Sequence, residues 1–130
     1  MTSVAYVDAS ALVKLIVDEA ESGALLRWSI EVDRLVTSRV GIVETVRAAS
    51  RRDHDDLRRS RVLTDVGIYE LDDGIAAVAA SLAPPALRTL DAIHLATAMA
   101  LLPELDAFVS YDDRMAEAAR ALGLPVVRPA

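Results

Sequence analysis

Apolar and β-branched runs alternate with helix-like segments along the whole chain. Val4-Ala-Tyr-Val7 has no polar alternation, which predicts a first strand buried on both faces. Ser10 is placed to cap a helix through Ala11–Val17, and Glu19–Trp28 reads as a second helix. Leu35–Thr37 predicts a short strand, followed by a helix over about 40–52 and another to about Leu63, capped by Asp53, Asp55 or Asp56. Gly67–Leu71 predicts a third strand, and Asp72 or Asp73 caps a helix reaching Pro84-Pro85. Thr89–Leu102 is an almost wholly apolar helix stopped by Pro103. Ala107–Ser110 is a fourth strand, 113–122 a last helix with Gly123 suited to its C-terminal cap, and Val126-Val127 a final strand. Such alternation predicts an α/β fold, a three-layer α/β/α sandwich around a parallel sheet of about five strands. Active sites of such sheets gather beyond the carboxyl ends of the strands.

The chain has 130 residues, 53 % of them apolar, enough for a single domain over 1–130 with one core. Disorder is excluded by that apolar content, and the absence of cysteine excludes disulfides and thiolate zinc sites. No apolar run approaches the roughly 20 residues that span a bilayer, and the N-terminus carries no basic leader, so the expectation is a soluble, cytoplasmic protein with no membrane partner. The net charge of −6 opposes general attraction to phosphates. The balance becomes −2 when four site carboxylates are left to bound cations, and 13 of the 14 basic residues are Arg, which can make bidentate phosphate contacts.

Four acids stand in apolar surroundings, where an unpaired charge is costly. Asp8 ends the first strand; the same position suits a helix N-cap, a role for which Ser10 is also available. Asp91 lies in the first turn of the apolar helix, where the helix dipole favours an anion. Glu44 has apolar neighbours on both sides, although Arg47 could form an ordinary surface pair with it. Asp112 follows the fourth strand, and pattern alone does not separate it from Asp113 or from a capping role. Carboxylates crowded on one rim repel unless cations compensate, and hard oxygen ligands select Mg²⁺ or Mn²⁺. Such a site suits hydrolysis of phosphodiesters.

Other residues invite bland readings. His94 shares a helical face with Asp91 and reads as a packed, hydrogen-bonded histidine; His54, among Arg and Asp, reads as part of a solvated loop or helix start. Residues 47–61 hold six Arg against three Asp, either a phosphate-guiding patch or a salt-bridged surface. Arg114, two residues past Asp112, is better placed to meet a substrate phosphate.

The stretches Val7-Asp-Ala-Ser-Ala-Leu-Val-Lys-Leu15, the Glu44 helix, Leu90-Asp-Ala-Ile-His-Leu-Ala-Thr-Ala98 and Phe108-Val-Ser-Tyr-Asp-Asp-Arg-Met-Ala116 resemble, in order and over nearly the whole chain, the PIN-domain ribonucleases of the VapC toxin type. That resemblance implies a five-stranded α/β/α sandwich and an endoribonuclease using Mg²⁺ or Mn²⁺. By motif match it implies the acids Asp8, Glu44, Asp91 and Asp112, favouring Asp112 over Asp113, with Ser10 and Ser110 bordering the pocket. It further implies an RNA substrate, a homodimer and a small antitoxin partner. Two other enzyme-like readings fare worse. A phospho-accepting receiver domain needs a lysine near its last strand, and the only lysine is Lys14; a haloacid-dehalogenase-type phosphatase needs a second Asp where Ser10 stands. The remaining alternative is a PIN-fold interaction module without catalysis.

Overall fold

In a computed structural model, which describes residues 2–130, five strands form one parallel sheet. The strands are β1 (Val4–Val7), β2 (Arg34–Ser38), β3 (Gly67–Tyr69), β4 (Ala107–Val109) and β5 (Val126–Val127), in the order β3-β2-β1-β4-β5. Seven helices connect them: α1 (Ala9–Ile16), α2 (Ser22–Ile30), α3 (Arg39–Ala49), α4 (Asp56–Asp65), α5 (Asp73–Ser81), α6 (Thr89–Met99) and α7 (Asp113–Ala121).

The two-residue period of a strand explains how β1 serves both faces. Val4 and Tyr6 point into a core shared with Val36, Phe108 and, from α6 and α7, Leu95, Ala98, Met115 and Ala119. Ala5 and Val7 point the other way, onto Leu12 and Leu15 of α1 and Leu25 of α2. Every residue of β1 is therefore buried, as its uninterrupted apolar run predicts. The Tyr6 and Phe108 rings stack in parallel at the centre of the first core, centroids 5.4 Å apart.

The element order matches the sequence expectation, and the boundaries shift for local reasons. Helix α1 begins one residue before Ser10, because Asp8 and not Ser10 caps it, accepting from the Ala11 N–H. Helix α2 starts later than Glu19 because the Ser22 hydroxyl accepts from the Glu19 N–H and donates to the Val17 carbonyl, fixing a turn there. Of the three candidate caps for α4, Asp55 does the work, and Asp72 does it for α5. Helix α6 stops at Met99 and not Leu102: Leu101 and Leu102 donate to carbonyls three residues back, continuing the chain as tight turns. Strand β3 ends before Glu70, whose carboxylate leaves the sheet to pair with Arg39 at 2.7 Å.

The chain runs from β1 through β2 to β3 on one side, then returns to place β4 and β5 on the other. Sequence order thus reverses between β1 and β4, and a crevice opens beyond the carboxyl ends of these two strands. Phe108 is fully buried under this crevice. Phe108→Ala is expected to cost about 3–5 kcal/mol, read as a lower urea midpoint at an unchanged slope; a cost below about 1 kcal/mol would show that the stacked pair does not anchor the core.

Candidate functional site

Asp8 leaves β1 at the switch point as a buried residue, 3 % exposed. Oδ1 accepts from the Ser10 hydroxyl at 2.6 Å and the Ala11 N–H at 3.1 Å, and Oδ2 from the Ser110 hydroxyl at 2.5 Å. Each serine has a second bond across the same seam. Ser10 Oγ accepts from the Tyr111 N–H and Ser110 Oγ from the Asp112 N–H. One buried carboxylate and two hydroxyls thus stitch the end of β1 to the end of β4. Burial pushes the Asp8 carboxyl above its ordinary pKa, and the Ser10 and Ser110 hydroxyls offset this only in part.

Asp8 forms the floor of a cleft of about 290 Å³, which Glu44, Asp91 and Asp112 also line, with Ser10, Arg88 and His94 between them. Asp91 lies 8 % exposed in the first turn of α6, as its place in the apolar helix predicts. Asp112 has two roles at once. Its Oδ1 caps α7 by accepting from the Arg114 and Met115 N–H groups, and its Oδ2 faces the cleft. Asp113 points outward to Arg128 at 2.8 Å, so geometry separates the two neighbours that pattern left open.

Glu44 enters from α3, held by a chain of buried bonds and not by a surface pair with Arg47. Its Oε1 lies 2.6 Å from His94 Nε2, and His94 Nδ1 lies 2.6 Å from the Tyr6 hydroxyl. A carboxylate only accepts, so Nε2 carries the hydrogen, and Nδ1 of a neutral imidazole is then the acceptor for the Tyr6 hydroxyl. His94 is 1 % exposed, the packed histidine that the sequence predicts. The approach of α3 requires Gly41, where a Cβ would stand 2.5 Å from Thr37 Oγ1 and 3.0 Å from His94 Cε1.

The sequence from Ala5 to residue 121 matches the family description of the PIN domain. The chain belongs to the PIN-domain family. It is 40 % identical over 125 residues to ribonuclease VapC46, and 44 % identical over 129 residues to ribonuclease VapC35, both of Mycobacterium tuberculosis. Each comparison covers 95 % of this chain and 96 % of the relative. The fold superposes on the crystal structure of Mycobacterium tuberculosis VapC20, described as a sarcin–ricin loop cleaving toxin, with a TM-score of 0.72, covering 96 % of this chain and 99 % of that one at 19 % identity. The three-layer PIN sandwich is thus common to both.

In this PIN chain the four acids expected from the sequence meet at one cleft, which Ser10 also lines; Ser110 does not line it but lies fully buried behind Asp8, bonded to its Oδ2. Arg114 does not line the cleft; it is exposed on the first turn of α7. The arginine that does is Arg88, which sequence reading passed over although it stands three residues before Asp91. Its Nε donates to Asp91 Oδ2 at 2.9 Å and its Nη2 to Asp112 Oδ2 at 3.1 Å. The arginine-rich stretch divides. Arg52 pairs with Glu19, and Arg58 with Asp18 and the Leu15 carbonyl, as on a salt-bridged surface. Arg47 and Arg51 instead line a hollow beside the cleft that shares Ser10 and Glu44 with it. His54 sits in the loop before α4 as predicted, but its ring is tucked in against the Arg52 carbonyl and not solvated.

As they stand, no three His, Asp or Glu side chains among the described residues converge into a ready-made ion cage. The open donors of the cleft are nevertheless oxygens, four carboxylates and the Ser10 hydroxyl, since both His94 nitrogens are engaged by Glu44 and Tyr6, and oxygen donors suit a hard divalent cation. No helix among the described residues is long and apolar enough to cross a membrane.

Asp8 binds its proton more readily folded than unfolded, so its contribution to stability falls as pH rises from 3.8 through the raised value. In chelator, Asp8→Asn, which removes the charge and keeps the shape, is expected to melt several degrees higher than wild type at pH 7. The gain should shrink towards pH 4 as the wild-type carboxyl takes up its proton. A variant that melts lower at pH 7 would show that the charged form is not the strained one.

Proposed function

We propose that this protein is a metal-dependent endoribonuclease and the toxin of a toxin–antitoxin pair. The observation that carries the reading is the convergence of Asp8, Glu44, Asp91 and Asp112 on one cleft at the switch point of a PIN sheet. Relatives named ribonuclease, at about 40 % identity over almost the full chain, support the same chemistry. The four carboxylates are the groups that would hold one or two Mg²⁺ or Mn²⁺ ions. When bound, the ion polarises a phosphate oxygen and lowers the pKa of water for attack on the phosphodiester.

The remaining residues fix where this happens. Ser10 and Ser110 hold the Asp8 carboxylate in one orientation, and His94, backed by Tyr6, holds Glu44 towards the same space. Asp91 stands in the first turn of α6, at the end of the helix dipole that attracts negative charge. Arg47 and Arg51, in the adjoining hollow, offer positive charge to flanking phosphates. An RNA substrate, a small cognate antitoxin, a homodimeric state and a cytoplasmic setting complete the proposal.

Purified, partner-free protein incubated with total structured RNA in Mg²⁺ or Mn²⁺ is expected to give discrete fragments on a gel. Cleavage should stop in excess chelator and slow at least about 100-fold in Asp91→Ala. Asp113→Ala, outside the cleft, should stay within about threefold of wild type. Cleavage that persists in Asp91→Ala would remove that acid from the site. Folded protein that binds Mn²⁺ and cleaves no RNA would make the chain an interaction module.

A further inference from the structure

The cleft of four acids contains one side chain of fixed positive charge, and it is placed to be exchanged. Arg88 stands at the N-terminal boundary of α6, and its guanidinium bridges Asp91 to Asp112 across the mouth of the cleft. Its side chain is 60 % exposed and its hydrogen bonds are the two ion pairs, one to the buried Asp91 and one to the more open Asp112, of which the second is of the weak, solvent-facing kind. Arg88 makes no side-chain cap for α6, so its head group can leave without unsettling the helix.

Asp112 shows what the exchange requires. Its Oδ1 is committed to two backbone N–H groups at the start of α7, which leaves Oδ2 as the oxygen free for a ligand, and Arg88 holds that oxygen. A divalent cation coordinated by Asp112 and Asp91 competes with Arg88 for Asp112 Oδ2 directly and for the negative charge of Asp91. The displaced guanidinium remains tethered at the rim, and its planar fork matches a phosphate as well as a carboxylate.

We propose that Arg88 is an exchangeable counter-ion: it neutralises Asp91 and Asp112 in the metal-free protein, yields them to the cation, and then binds a substrate phosphate beside it. This rests on the metal-dependent ribonuclease reading above and adds a substrate-contacting residue to it. Because cation and guanidinium oppose each other, removing the guanidinium must strengthen cation binding. A residue that merely props the site open would have the opposite effect.

The test titrates Mn²⁺ into wild type, Arg88→Gln, Arg88→Ala and Asp8→Asn, following the signal of free Mn²⁺ by electron paramagnetic resonance, with thermal melts to show that each is folded. Both Arg88 variants are expected to bind Mn²⁺ about 3- to 10-fold more tightly than wild type. A second arm measures filter binding, on ice, of a labelled 20-nucleotide mixed-sequence RNA, counting only intact strand. Arg88→Gln should match wild type in chelator and bind at least about 5-fold more weakly once Mn²⁺ is present. Unchanged or weaker Mn²⁺ binding in both variants overturns the exchange, as does an RNA defect equal with and without metal. If wild type itself binds no Mn²⁺, or Asp8→Asn binds it as well as wild type does, the metal site is wrong and the proposal falls with it. If wild type binds Mn²⁺, Asp8→Asn does not and the Arg88 variants gain nothing, the metal site stands and only the role of Arg88 falls.

Discussion

The Asp8 carboxylate, buried between two serine hydroxyls, is the constraint on which the rest of the cleft depends. It lies where β1 and β4 part company, and its partners Ser10 and Ser110 come from opposite sides of that parting. The bonds from Tyr111 and Asp112 to the same serines fix the turn after β4, and so aim Asp112 into the cleft. Desolvation still outweighs these bonds, since the carboxyl is pushed above its ordinary pKa. The seam therefore sets a carboxyl where burial disfavours its charged form, as functional sites commonly do.

A second constraint comes from below the sheet. Tyr6 is at once a core residue stacked on Phe108 and the donor that orients His94, which in turn holds Glu44. The central strand is thereby coupled to the cleft through two hydrogen bonds with no water between. Gly41 permits this, because any side chain there would press on Thr37 and His94 and push α3 away. Core packing and acid placement are thus one arrangement and not two.

The charge pattern of the surface follows the same division. Several acids outside the cleft are engaged in ion pairs or helix caps, such as Glu70 with Arg39 and Asp55 at the start of α4. Such exposed pairs contribute little stability. Asp112 shows that capping and cleft-lining are not alternatives: a carboxylate has two oxygens, and this one gives one to each role. The same holds for Asp8, whose Oδ1 caps α1 while Oδ2 serves the seam.

Much of this was legible in the residues themselves. The period of the apolar runs determined five strands and seven helices in order, because burial on two faces and burial on one leave different patterns. Acids stranded in apolar company marked Asp8 and Asp91, since an unpaired charge there needs a reason. Glu44 and Asp112 were ambiguous, having credible surface or capping roles within their own neighbourhoods. What places them at the cleft is contact between residues far apart in sequence: Glu44 with His94, 50 positions on, and Asp112 with Arg88, 24 positions back. Arg88 itself was overlooked although its spacing of three to Asp91 was a local signal, and its second carboxylate, Asp112, comes only from the meeting of α6 with the start of α7. Sequence by itself determined which residues must be buried and which charges were out of place, for these follow from local period and solvation. The tertiary structure alone decided which of those charges face each other, because that depends on where the sheet reverses.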